Sequence, residues 1–296
     1  MRELIVNADD LGLTAGVNRA IVEAHRGGVV SSATLMANGA AFEDAVEEVR
    51  AVPKLSVGCH VVLVDGTPVS KEEAVRSLLA EAPNGRGQFL SRLSTFAARA
   101  VFARFDPDQL VGEIVTQVRK IRAAGIEVSH LDTHKHTHLF PAVLRALVAA
   151  ARTCGVSAIR NPIVPVTAIP ISRFAGKPEL WSRYGQVWLL RGFAPQFRKQ
   201  IRQGGLVAPD GVLGVVETGS FDGSLLHEAL RNLPEGTWEL VTHPGYVDKE
   251  LRSAHTRLIE SREQELQLLT SPELREFLDR ERIHLTSFRD FARRHA

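Results

Sequence analysis

The stretch ELIVNADDLGLTAGVNRAIVEAHRGGVVSSATLMANG, residues 3–39, holds a strand, a helix and a second strand in succession. ELIVNAD is apolar and β-branched, VNRAIVEAHRGG has helical spacing and a glycine stop, and VVSSATLMANG is again strand-like. A strand, a helix and a strand in that order form the unit of a parallel sheet. The rhythm continues outward. AAFEDAVEEVRAV reads as a helix and LSVGCHVVL as a third strand. DPDQLVGEIVTQVRKIRAAG is a helix that starts at the cap-like pair Asp106 and Pro107 and stops at Gly125. IEVSHLD is a strand, PAVLRALVAAARTCG a helix and SAIRNP a short strand. VLGVVE, TWELVTH and IHLTSF supply further strands, with SLLHEALRNL and a long charged helix near 254–269 among them.

Strand–helix alternation implies an α/β fold with a mainly parallel sheet, open or closed into a barrel, and seven or eight strands in this length favour an irregular (β/α) TIM-like barrel. Two stretches break the rhythm, near 64–105 and 162–210, and are expected as insertions that shape access to a site. The 296 residues, 44% of them apolar, suffice for one large core or two modest ones, and with both stretches read as insertions a single domain over 1–296 is expected. With 36 basic and 34 acidic residues, the net charge of +2 gives no case for nucleic-acid binding. Two cysteines, Cys59 and Cys154, argue against a disulfide framework and suit a reducing compartment. MRELIVNADD does not read as a signal peptide, and no apolar run approaches the ~20 residues of a membrane span. A cytoplasmic protein is expected.

Chemistry concentrates at the strand ends. HLDTHKHTHLFP, residues 130–141, places four histidines and Asp132 just before Pro141, where a helix is expected to begin. His134 to His138 are therefore expected in the turn at the carboxyl end of a strand, where active sites of parallel α/β proteins collect. One or two of these histidines suit a metal; the alternative is a set of hydrogen-bonded or surface histidines. A catalytic metal site takes about three protein ligands and leaves a position open. Asp9 and Asp10 close the first strand, and His60 closes the third. Strand neighbours point to opposite sides, so one carboxylate can ligate while the other acts as a base; the alternative is helix capping. His60 alone would more often be a core histidine. His243, in ELVTHPGY, precedes a Pro-Gly turn and is a candidate proton donor or a turn-stabilising residue.

Taken together, these motifs resemble the YdjC-like carbohydrate deacetylases. NADDLGL at 7–13 is similar to that family's N-A-D-D-F-G opening, with Leu11 where phenylalanine is usual. GCHVVLVDG at 58–66 fits G-x-H-x-x-L-x-x-G, and HLDTHKHTHLFP fits H-x-D-x-H-x-H-x-H-x-x-P. AIRNP at 158–162 and ELVTHPGY at 239–246 fit the later motifs, so the resemblance runs in order from residue 4 to about 250. It implies a distorted barrel, a homodimer, one divalent cation, and hydrolysis of an N-acetyl group on an amino sugar. Carried over by motif, Asp10, His60 and His134 are the metal ligands, Asp9 the general base and His243 the general acid. Asp132 is expected to support a metal-bound histidine, and His138 and Arg160 to contact substrate. The family is described with magnesium, whereas an Asp-His-His set suits zinc or another transition metal better.

The resemblance spans free chitooligosaccharides and hopanoid-linked glucosamine. GQFLSRLSTFAARAVFARFD at 87–106 interleaves aromatic and arginine residues, as a helix lying on a membrane or packed on the barrel would. Peripheral membrane contact would fit a lipid-linked substrate. Trp181, Trp188 and Tyr246 are candidates for stacking on sugar rings. Two rival readings share these residues: a metal-dependent phosphoesterase or amidohydrolase on a similar barrel, and a metal- or sugar-binding protein without turnover.

Overall fold

The computed structural model describes residues 1–80, 87–165, 191–215, 219 and 223–295. Among these residues eight strands make one sheet: β1 (Arg2–Leu11), β2 (Ser32–Leu35), β3 (Ser56–Val61), β4 (His130–Thr133), β5 (Ala158–Ile159), β6 (Gly211–Leu213), β7 (Gly236–Thr242) and β8 (Ile283–Thr286). Their order is β5-β4-β3-β2-β1-β7-β6, every pairing is parallel, and β8 pairs with β1 off this path. β8 takes residues 2–5 of β1 and β2 takes residues 7–11, so one edge of β1 serves two partners in turn. The free ends of the sheet approach each other through irregular contacts: Ile159 N–H donates to Val207 O, and Val212 N–H to Ile163 O. The result is the distorted (β/α) barrel that strand–helix alternation predicts.

Helices cover the outside. Among the described residues they are α1 (Ala15–Arg26), α2 (Phe42–Arg50), α3 (Leu93–Val101), α4 (Pro107–Ala123), α5 (Pro141–Cys154), α6 (Ala194–Gln203), α7 (Gly223–Arg231), α8 (Lys249–Ser253), α9 (Ser261–Thr270), α10 (Pro272–Arg280) and α11 (Phe288–His295). The sequence signals act as expected at α4. Asp106 accepts from the backbone of Asp108 and Gln109, satisfying donors that a helix start leaves unpaired, and Pro107 occupies the first turn. At α5 the chain turns off at Gly155, in a left-handed conformation that glycine adopts without strain. The charged segment near 254–269 is not one helix: α8 ends at Ser253 and α9 begins at Ser261.

In the 87–106 stretch only Leu93–Val101 is helical. Phe96 is wholly buried, and its ring lies 4.8 Å from Phe105 and 5.9 Å from Phe140. Most of its aromatics thus pack on the barrel, and Phe102, 71% exposed, stays at the surface. None of the described helices is long and apolar enough to cross a membrane.

Inside the sheet, one end is plugged. Phe288 and Phe291 of α11 pack with Ile5 and Ala158. Backbone N–H groups of Phe288 and Arg289 donate to Ser32 Oγ and Ser56 Oγ, at the first residues of β2 and β3. That seals the amino-terminal end of the barrel. Polar side chains projecting inward can meet only toward the opposite, carboxyl end.

Candidate metal centre and active site

Asp10, His60 and His134 come from the ends of β1, β3 and β4. His60 Nε2 lies 3.6 Å from Asp10 Oδ1 and 3.3 Å from His134 Nδ1, and His134 Nδ1 lies 3.4 Å from Asp10 Oδ1. Donors about 2.1 Å from a tetrahedral zinc ion sit roughly 3.4 Å apart. The three atoms therefore have the spacing of ligands that share one small cation, and one carboxylate with two imidazoles is a donor set for zinc-like metals. Asp9, His60 and Asp132 also cluster, but there a guanidinium already occupies the space.

Local backbone geometry makes this convergence possible. Strand alternation would send Asp9 and Asp10 to opposite faces. Instead Asp10 has a φ of 65°, and the β1–β2 register shifts between Ala8 and Leu11. The left-handed residue breaks the alternation, so both carboxylates reach the cluster around His60. Aspartate tolerates that conformation better than most side chains. After Thr133 the chain leaves β4 in a tight 3₁₀ segment, His134–Leu139, in which Lys135 and His136 also have positive φ. The histidines of this motif consequently separate. His130 lies deep in the barrel, stacked on Phe288 at 3.6 Å. His134 joins the donor triangle. His136 is part-buried, its Nδ1 without a hydrogen-bond partner among the described residues, and His138 is wholly buried with Nδ1 2.6 Å from Thr133 Oγ1.

Around the triangle lies a layer of supporting charge. His60 Nδ1 is 2.8 Å from Asp132 Oδ1, which leaves Nε2 to face the triangle. Arg160 is wholly buried and donates to both oxygens of Asp9, at 2.6 and 2.8 Å, and to Glu239, while contacting Asp132 at 2.6 Å. Asp9 Oδ1 also accepts from Asn7 and lies 3.1 Å from Thr34 Oγ1. Asp9 Oδ2, 4.0 Å from His243 Nε2, has more capacity left. His243 is anchored from behind, its backbone N–H donating to Glu265 Oε2 at 2.6 Å. Asp10 Oδ2 is held by Arg262 at 2.6 Å.

Burial and charge pull the titratable groups apart. Burial would raise the Asp9 carboxyl, but Arg160 and His60 outweigh it and hold Asp9 well below the usual carboxylate range. Asp10 is lowered likewise against its burial, chiefly by Arg262 and His134. His60 is pushed up to about 9: burial lowers it, and Asp132, Asp9 and Asp10 overcome that. Burial dominates at His243, which falls to about 4 although Asp10 and Asp9 oppose it, and at His136, which falls to about 3. Glu239 and Glu265 are raised to about 7, mainly by burial.

The site thus brings together Asp9, Asp10, His60, Asp132, His134, Arg160 and His243. Arg160 and His138 were expected at the substrate; both lie wholly inside, and the N–H groups of Arg160 are spent on carboxylates. Tyr246 binds Glu23 through its hydroxyl. Trp181 and Trp188 lie outside the described residues. Sequence reasoning missed Arg262, Glu265, Glu239, Asn7 and Thr34. Glu239 had a signal, a lone carboxylate within the apolar strand TWELVT. Arg262 and Glu265 had none, because a charged helix ordinarily presents its charges to solvent.

Residues 3–280 match the profile of a family described as YdjC-like protein. A carbohydrate deacetylase of Brevibacillus brevis is 32% identical over 97% of this chain and 98% of its own length. One from Thermoanaerobacter pseudethanolicus is 29% identical with the same coverage. A crystal structure from Enterococcus faecalis V583, of a protein named for cellobiose-phosphate cleavage, superposes with a TM-score of 0.76 at 24% identity. It covers 98% of this chain and 99% of its own, a likeness of fold.

Proposed function

The chain belongs to the YdjC-like protein family, and on that premise we propose that it is a carbohydrate N-deacetylase: a hydrolase that removes the acetyl group from an N-acetylated amino sugar and releases acetate. We read residues 1–296 as one catalytic domain. The observation that carries the proposal is the triangle of Asp10, His60 and His134 donor atoms, 3.3–3.6 Å apart, with Asp9 and His243 beside it. A divalent cation held by those three residues would supply Lewis acidity to the acetamide carbonyl and acidify water.

Each neighbouring residue then has a role set by its surroundings. Asp9, ionised and clamped by Arg160, accepts the proton of the attacking water at Oδ2. Its low basicity would suit a water acidified by a bound cation. His243 starts as a neutral imidazole, since burial keeps it near 4. It takes up the proton gathered at Asp9 and delivers it to the departing amine nitrogen as the C–N bond breaks. Water and amide thereby become acetic acid and a free amine, and passage of the acid's proton to that amine gives acetate and a protonated amino sugar. Asp132 holds His60 by Nδ1, fixing the tautomer whose Nε2 lies in the donor triangle and would hold the cation. We assign Arg160 to holding Asp9 in place of touching sugar.

The test measures acetate release from N-acetylglucosamine oligomers and from a lipid-linked N-acetylglucosamine, with zinc, magnesium or no metal added. Metal-dependent release of one acetate per amino sugar is expected. Cleavage of a phosphate ester without acetate would favour the phosphoesterase reading, and metal binding without turnover the binding protein.

A further inference from the structure

Two buried charges on one helix have no part in the chemistry above. Arg262 is wholly buried and Glu265 is 2% exposed, on the same buried face of α9 as Leu266 and Leu269. Three residues apart, they share one helix face. Arg262 donates through one end of its guanidinium to Asp10 Oδ2 at 2.6 Å and through Nε to Leu258 O at 3.0 Å. Glu265 takes the backbone N–H of His243. The α9 backbone closes the link, with Gly245 N–H donating to Arg262 O. A β-carbon at Gly245 would lie 2.9 Å from Arg262 Cδ and 3.1 Å from Val17, so the approach is tight.

Resting on the deacetylase reading, we infer that α9 is a positioning element in which Arg262 restricts Asp10 to one ligating oxygen while Glu265 fixes the backbone of His243. A carboxylate can offer a cation one oxygen or two. Here Oδ1 faces His60 and His134, and Oδ2 is engaged by a guanidinium held from two sides. A cation therefore meets three protein donors and keeps room for water and the acetamide oxygen. Without Arg262 the carboxylate is free to rotate and bind through both oxygens, filling the position the attacking water needs. Arg262 and Glu265 act through Asp10 and His243 and are positioning residues.

The experiment loads purified protein with cobalt(II) and compares the parent with Arg262→Gln and Arg262→Lys. Lysine keeps the charge but cannot grip Leu258 and Asp10 together. Cobalt bands weaken as coordination number rises, so both variants should bind one equivalent with weaker visible bands, Arg262→Gln more than Arg262→Lys. With zinc, kcat should fall about 10–100-fold while KM stays within about threefold, because an interaction outside the substrate's ground-state contacts is lost. Parent-like bands and kcat in every variant that folds overturn the inference, and Arg262→Lys alone suffices if Arg262→Gln does not fold. A parent that takes up no cobalt overturns the metal-site reading instead, so the two failures are distinct.

Discussion

His60 Nδ1 and Asp132 Oδ1 lie 2.8 Å apart, and both residues are buried. This one contact decides which nitrogen of His60 is left for a cation. Asp132→Asn keeps the shape but weakens the acceptor and its negative charge. Metal affinity, measured against a calibrated chelator, should drop about 10–100-fold, the range found when outer partners of metal-binding histidines are changed. A change under about threefold would remove Asp132 from that role.

The same carboxylates make metal loading a proton exchange. In the metal-free protein His60 is pushed up to about 9, so below that pH it carries a proton a cation must displace. Affinity should therefore climb with pH, by up to about tenfold per unit, and flatten near pH 9. Calorimetry in buffers of differing ionisation enthalpy counts the protons released. No buffer dependence at pH 7 would contradict the exchange.

Stability of the metal-free protein should move the other way. A histidine raised in the folded state contributes stability that is present below its unfolded value of 6.5 and is lost as pH rises through about 9. The thermal midpoint without metal should thus decline between pH 6.5 and 9. Glu239 and Glu265, raised to about 7, add to the fall near the start of that window. Excess zinc should cancel most of the decline. A midpoint that rises over this range would refute the sign.

Asp9→Asn tests the base. It removes the proton acceptor and sets an amide against Arg160, leaving a buried guanidinium short of one partner. Turnover should fall about 10²–10⁴-fold, the usual contribution of a general base. Metal stoichiometry should hold at one, because Asp9 is outside the donor triangle. The midpoint should fall too, since breaking a buried pair costs about 3–5 kcal/mol. Acetate release at the parental rate would exclude Asp9.

Much of this was legible in the chain because strand ends announce themselves. Asp9, His60 and His243 each terminate an apolar strand, and strand–helix alternation with glycine stops placed them at one end of one barrel. What was not legible depends on single φ angles and on burial. Nothing in NADDLG tells that Asp10 turns left-handed and joins its neighbour's side. His136 and His138 share the parity of His134, yet two positive-φ residues rotate them away from it. Arg262 and Glu265 are charges on a polar helix, and only the packing of α9 against the barrel mouth turns them inward.

His130 shows how a histidine of the same motif serves the fold instead. Its ring stacks on Phe288 at an interplanar angle of 11°, and Nδ1 lies 2.9 Å from Ser129 Oγ. The ring presses on β3 at Gly58, where an added β-carbon would sit 2.4 Å from Cε1 and 2.5 Å from Nδ1. Neither wall yields easily, because Phe288 belongs to the plug that closes the barrel. Gly58→Ala should therefore cost about 1–3 kcal/mol in urea unfolding, as overpacking of a filled core does. Adding His130→Ala opens room for the methyl group, so the double variant should lose less than the two single losses together. Additive losses would mean that the ring and Gly58 do not constrain each other, and that His130 has some role other than filling the barrel.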